Sequence, residues 1–274
     1  MKTVTEKAYA KINLYLDVLD KREDGYHNIL SVMHDAPLYD TLTVSVAEDV
    51  FMTCTDKSLS CGEDNLCIKA ARAFFSNFKG NGGCFIELEK NIPMKAGLGG
   101  GSSDCAAVLR ALNYLYGSPF TVDELCAIGA GLGADVPFCV RGGSCKCEGI
   151  GEILSPFPHL PECFIVISGG IGEVSTPVAY RMIDSTPPSK SGDIKALCSA
   201  LRSKDLEKIG KALYNRFEDA CSECESVKRI MLESGALGAL MSGSGPSVFG
   251  LFADKESAEK AKKALEDQGL SAFM

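Results

Sequence analysis

A chain of 274 residues is long enough for one large or two medium domains with full hydrophobic cores. Its 46% hydrophobic and 23% charged residues exclude wholesale disorder. The net charge of −8 argues against a nucleic-acid partner, which calls for an excess of positive charge to displace counterions from phosphates. No run of 18 apolar residues offers a membrane span, and Met1 to Lys7 carries no apolar stretch of the export-signal kind, so the sequence predicts a soluble, cytoplasmic protein.

In chain order, Ile12, Leu14, Leu16 and Val18 alternate with polar residues, the period of a half-buried strand. That period puts Lys11 and Asn13 on one face, opposite the core. Leu42, Val44 and Val46 predict a second strand, Leu66 to Phe78 a helix closed by Lys79-Gly80-Asn81-Gly82-Gly83, and Phe85 to Leu88 a third strand. Cys105, Val108, Leu109, Leu112 and Leu115 mark an amphipathic helix, and Thr121 with Glu124 is a capping box opening a shorter one. Three prolines between Pro156 and Pro161 predict a linker. Beyond it come a strand from Cys163 to Ile167, a loop at Thr186-Pro187-Pro188-Ser189, and helices near Asp205–Tyr214 and Glu225–Ser234. A strand at Ser247–Phe252, a helix at Glu256–Asp267 and a short terminal strand complete the chain. The mixture in both halves predicts two α+β domains, 1–155 and 156–274.

Thirteen cysteines are an odd number, and a chain of this length needs no disulfide framework. They read as reduced, mostly buried thiols of a reducing cytosol. Two close pairs, Cys145 with Cys147 and Cys221 with Cys224, are the metal-ligating candidates, but neither has a second ligand pair at recognisable spacing.

The most informative stretch is Pro93-Met94-Lys95-Ala96-Gly97-Leu98-Gly99-Gly100-Gly101-Ser102-Ser103, which sits before an amphipathic helix. Glycines let backbone approach a ligand closely, and the free N–H groups of a helix's first turn favour an anion, so phosphate is the expected guest. The P-loop pattern fails because no Lys-Ser or Lys-Thr follows. Gly129-x-Gly131-x-x-Ala134 fits the letters of a dinucleotide fingerprint but follows a helix, and Asp135-Val136-Pro137 is expected to prevent a helix from opening there.

Three further segments join this stretch. They are Ala10-Lys11-Ile12-Asn13-Leu14 with Asp24-Gly25-Tyr26-His27, then Gly133-Ala134-Asp135-Val136-Pro137-Phe138, and then Met241-Ser242-Gly243-Ser244-Gly245-Pro246-Ser247. Together they resemble the GHMP small-molecule kinases. Within that family they are most similar to the members acting on a cytidine diphosphate derivative of methylerythritol. The resemblance implies an N-terminal domain of ribosomal S5 domain 2-like fold, with a left-handed βαβ crossover, and a ferredoxin-like C-terminal domain. It implies transfer of the γ-phosphoryl group of ATP to a 2-hydroxyl in non-mevalonate isoprenoid synthesis, with Mg²⁺, by a monomer or weak homodimer.

By the same resemblance Pro93 to Ser103 wrap the ATP phosphates, Asp135 is the catalytic aspartate and Lys11 its partner lysine. Asn13, Tyr26, His27, Thr176, Pro177 and Tyr180 hold the cytidyl substrate, with the rings of Tyr26 and Tyr180 stacking on the base. These residue types suit the chemistry. A carboxylate can take the hydroxyl proton, and an ammonium can steady charge on the group in transfer. Lys95 stands where a small residue is usual in the family, and its side chain is expected to face solvent. The competing readings are a relative acting on homoserine, mevalonate or a sugar, and a nucleotide-binding sensor without catalysis.

Overall fold

The computed structural model describes residues 2–170, 172 and 175–274. Its strands and helices run β1 (Thr3–Lys21), β2 (His27–Ala47), β3 (Val50–Cys54), α1 (Leu66–Asn77), β4 (Gly83–Glu89), α2 (Gly100–Leu115), α3 (Val122–Ala130) and α4 (Val136–Arg141). Then follow β5 (Ser144–Glu148), β6 (Ile153–Pro156), β7 (Phe164–Ser168), α5 (Thr176–Ser185), α6 (Ile194–Arg202), α7 (Leu206–Ala212) and β8 (Tyr214–Asn215). After a 3₁₀ turn at Arg216–Ala220 come α8 (Cys224–Glu233), β9 (Gly238–Met241), β10 (Val248–Phe252), α9 (Lys255–Glu266) and β11 (Ala272–Phe273). No described helix is long and apolar enough to cross a membrane.

The chain forms two compact units drawn from interleaved segments. The first takes residues through Ala10, Leu38–Met94 and Gly99–Gly142; the second takes Lys11–Pro37, Lys95–Leu98 and Gly143 onward. In the first, the end of β2 lies antiparallel to β4, from Thr41↔Glu89 to Ala47↔Gly83. Strand β3 runs parallel to β4 with α1 as the connection, a βαβ unit. Its core holds Leu42, Val44, Phe74, Ile86, Leu109 and Leu112, all fully buried.

In the second unit a sheet of order β11-β7-β10-β9 has α5–α8 between β7 and β9 and α9 between β10 and β11. That β-α-β-β-α-β sequence is the ferredoxin-like arrangement. Val166, Val227, Met231, Phe252, Ala261 and Leu265 fill its core. The same unit pairs β5 with the start of β2 and with β6, and β8 in parallel with β1 at Tyr15↔Tyr214.

Locally determined features match the sequence. Helix α1 starts at an Asn65 cap, whose side chain accepts the Cys67 N–H. The Thr121/Glu124 capping box is present in both directions. Three expectations change. Strand β1 is not half-buried over residues 10–16: Lys11 and Asn13 are 4% and 1% exposed, because a polar network covers their face. Helix α4 does open at Val136, since proline in a first turn lacks only an N–H that the helix would leave unpaired. Helix α2 begins inside the glycine run, at Gly100, five residues before the first apolar marker. All thirteen cysteines are free thiols. Among the described residues no three His, Cys, Asp or Glu side chains converge as metal ligands.

Candidate active site

Lys11 is a buried cation, and burial of an ammonium demands polar partners. Its Nζ donates to Asn13 Oδ1 at 2.7 Å, two residues along the same strand face. That same oxygen accepts the Gly243 N–H at 2.9 Å. Asn13 Nδ2 donates to Ser31 Oγ at 2.8 Å, and Ser31 Oγ donates to the Tyr15 carbonyl. From β8, Asn215 Nδ2 holds the carbonyls of Met241 and Gly243 at 2.7 and 2.8 Å. Asn13 is thus the support of Lys11 and of the 242–245 loop. Neither Ser31 nor Asn215 is visible as a site residue in sequence, since each acts through partners 16 or more positions away.

The glycine segment passes from the first unit at Pro93 and Met94 into the second over Lys95–Leu98 and back at Gly99. Within the second unit, the Leu98 carbonyl accepts the Lys11 N–H at 2.9 Å, and Ser242 Oγ donates to the Gly97 carbonyl at 3.0 Å. Gly97 has φ +74°, and a Cβ there would lie 2.2 Å from the Ser242 carbonyl oxygen. Two main chains meet where only glycine fits. Lys95 is exposed, as expected. In the first unit, Gly99 caps α2 in the left-handed conformation, φ 67° and ψ 18°, with no side-chain cap. The N–H groups of Gly100, Gly101 and Ser102 therefore head a sixteen-residue helix without intrahelical acceptors, an anion-binding arrangement. Ser103 is buried: its hydroxyl donates to the Tyr9 carbonyl and its N–H to Gly99. It anchors the helix start.

Gly97→Val is expected to weaken ATP binding by at least about 5- to 30-fold, taking ~1–2 kcal/mol for the left-handed backbone alone. Calorimetric titration with ATP and with the acceptor checks this. Equal losses for both ligands in a folded variant would contradict a phosphate cradle.

Asp135 stands at the N-cap of α4, half-buried, with φ −82° and ψ −14° and no side-chain bond to the helix it precedes. Its carboxylate is therefore not consumed in capping. Helix α4 is held at its other end by Arg110 of α2, whose guanidinium donates to the Cys139 carbonyl at 2.6 Å and to Glu6 at 3.0 Å.

The predicted base-binding residues fall in the second unit. Tyr26 is exposed at the tip of the β1–β2 turn, where Gly25 takes φ +87°. His27 is buried and stacks on Tyr180 of α5, ring centroids 4.9 Å apart and 17° from parallel. Tyr180 also meets the edge of Phe217 at 5.0 Å. His27 Nε2 lies 2.7 Å from Asp184 Oδ1, and Lys21 bonds the other oxygen of Asp184. The lysine and the histidine together hold the Asp184 carboxyl below the usual carboxylate range. Sequence reading missed Asp184, one helical turn beyond Tyr180 on α5; that i, i+4 spacing was the available signal. Thr176 and Pro177 are exposed in the first turn of α5, and Thr176 Oγ1 lies 2.9 Å from Ser244 Oγ.

The sequence pattern of the GHMP kinases N terminal domain matches residues 65–143, and that of the GHMP kinases C terminal matches residues 195–270. A Lachnoclostridium phytofermentans protein named 4-diphosphocytidyl-2-C-methyl-D-erythritol kinase is 39% identical over 267 residues, 95% of this chain and 92% of that protein. A crystal structure of a 4-(cytidine 5'-diphospho)-2C-methyl-D-erythritol kinase matches with TM-score 0.82 and 34% identity, covering 98% of this chain and 97% of that one. Homoserine kinase from Cytophaga hutchinsonii, at TM-score 0.77 and 23% identity over the full chain and 93% of that one, shares the fold. With both family patterns matched and identity sustained along nearly the whole length, the chain belongs to the GHMP kinases, in the family of 4-diphosphocytidyl-2-C-methyl-D-erythritol kinases.

Proposed function

We propose that this kinase moves the γ-phosphoryl group of ATP onto the 2-hydroxyl of 4-diphosphocytidyl-2-C-methyl-D-erythritol, a cytoplasmic step in the non-mevalonate route to isoprenoid precursors. The observation that carries the acceptor is the 39% identity, over 95% of the chain, with a kinase named for it. Along the sequence we read the family modules as residues 1–155 and 156–274, a division that keeps each matched family segment whole although the compact units interleave across it. The protein works on small molecules, as a monomer or weak homodimer.

Each step follows from a residue. Backbone N–H groups of the glycine segment and of the first turn of α2 hold the ATP phosphates, and a side chain at Gly97 would push that segment off the Ser242 carbonyl. Asp135 accepts the proton that leaves the acceptor hydroxyl as phosphorus is attacked. Lys11, fixed by Asn13, stabilises charge on the group in transfer. Mg²⁺ carried with ATP would supply further neutralisation of the phosphates. His27 and Tyr180 present the aromatic surface for cytosine, with Tyr26, Thr176 and Pro177 around it.

A coupled assay of ADP release tests the reading with three acceptors: the cytidyl substrate, mevalonate and homoserine. Turnover with the cytidyl substrate alone is expected; preference for either other acceptor, or no turnover with any, would overturn it. Tyr180→Ala is expected to lower kcat/KM for the cytidyl substrate about 5- to 150-fold, the range for one stacking contact. Tyr180→Phe should retain most activity, and ATP affinity should not follow either change. An unchanged kcat/KM in Tyr180→Ala would remove Tyr180 from base binding.

A further inference from the structure

A second charged cluster lies in the first unit, outside the groups assigned above. Lys90, just past β4, carries a side chain only 6% exposed and donates to Asp40 Oδ2 of β2 and, at 3.0 Å, to Asp104 Oδ2 of α2. Asp40 is fully buried, and its other oxygen accepts the N–H groups of Asn91 and Ile92, the residues that lead into the glycine segment. Asp104 sits one helical turn above Gly100, and a Cβ at Gly100 would come 3.0 Å from Lys90 Nζ. The cluster therefore joins the entry of the segment to the helix that follows it.

The charges do not balance if all three groups are ionised. One ammonium faces two buried carboxylates, and Asp104 Oδ1 is buried with no hydrogen-bond partner. Around Asp104 stand Lys90 and Asp40, together with the thiols of Cys54 on β3, Cys67 on α1 and Cys105 on α2. A second buried carboxylate that shares one ammonium and leaves one oxygen unbonded is costly in such surroundings. Burial first, against the pull of Lys90 and with the push of Asp40, raises the Asp104 carboxyl to about 8. Lys90 is lowered by burial, but its two carboxylates outweigh this and its net shift is upward, so it stays charged. Around neutral pH this favours a charged Lys90 and a protonated Asp104.

We propose that Asp104 is a positioning residue for the nucleotide: in its neutral form it lets Asp40 and Lys90 tie the phosphate-binding segment to α2, and its ionisation weakens ATP binding. A second negative charge one turn into α2 opposes the positive potential that the helix start offers to phosphate. The inference rests on the reading that this segment holds the ATP phosphates.

The test is the Kd of ATP and the saturated kcat from about pH 6.5 to about pH 9.5 for the wild-type enzyme, Asp104→Asn and Asp104→Leu. The wild-type Kd is expected to rise roughly tenfold per unit above about pH 8 before levelling, without a matching fall in kcat. Asp104→Asn, a neutral isostere, should keep the low-pH affinity and show a flat profile. Thermal melting gives a second readout. A carboxyl raised when folded contributes stability that is full below its unfolded value of 3.8 and lost as pH rises towards about 8, so the melting temperature of Asp104→Asn should gain on wild type across that window. If Asp104→Asn follows the wild-type Kd profile, or both are flat, the proposal fails. A Gly97→Val variant with unchanged ATP affinity would instead remove the underlying reading. Asp104→Leu also removes the titrating charge, so where it folds its Kd should be flat with pH; a Kd that still rises above about pH 8 would count against the proposal.

Discussion

Replacing Asp135 by Asn is expected to reduce kcat by roughly 10²–10⁴-fold, the range for loss of a general base, while the protein folds and binds ATP. The fold should survive because the carboxylate makes no cap bond to α4 and the amide is nearly isosteric with it. Helix α4 is retained by Val136, Phe138 and Val140 in the core and by Arg110 at its far end. The loss should therefore fall on kcat at saturation of both substrates, and not on ATP affinity. Rapid-quench measurement of the transfer step checks this without interference from product release. Near-normal turnover would take Asp135 out of the chemistry.

Lys11→Met should lower kcat by about 10²–10³-fold, as removal of one transition-state donor does elsewhere, with a smaller change in the KM for ATP. The methionine fits the apolar stem of the lysine, and Asn13 Oδ1 keeps its bond from the Gly243 N–H, so the network beneath does not collapse. Lys11→Arg is not expected to rescue. The planar guanidinium does not reproduce the compact ammonium that Asn13 Oδ1 holds at 2.7 Å. A pure KM effect in Lys11→Met would make Lys11 a binding residue.

What could be read in the sequence was what neighbouring residues decide. The Asn65 and Thr121 caps, the apolar spacing of α1, and the glycines that let residues 97–103 approach a ligand are all local signals. Helix α4 was misread because Pro137 was weighed as a breaker, when in a first turn it is compatible with the helix. The period of β1 pointed Lys11 and Asn13 away from the core correctly, but it could not show that Ser31 and Gly243 cover that face. Asp184 reaches His27 across 157 positions, and Asp40 reaches Lys90 across 50. No periodicity carries information over such separations. The stacking of His27 on the Tyr180 ring, across a similar separation, was equally out of reach of the sequence.

The central claim is γ-phosphoryl transfer from ATP to the hydroxyl of the cytidyl acceptor, and phosphorus NMR of the reaction mixture tests it most directly. The account predicts a new phosphate monoester resonance that grows in proportion to ADP, with both diphosphate resonances of the acceptor retained. ADP formed with inorganic phosphate alone, or loss of the acceptor's diphosphate resonances, would contradict it.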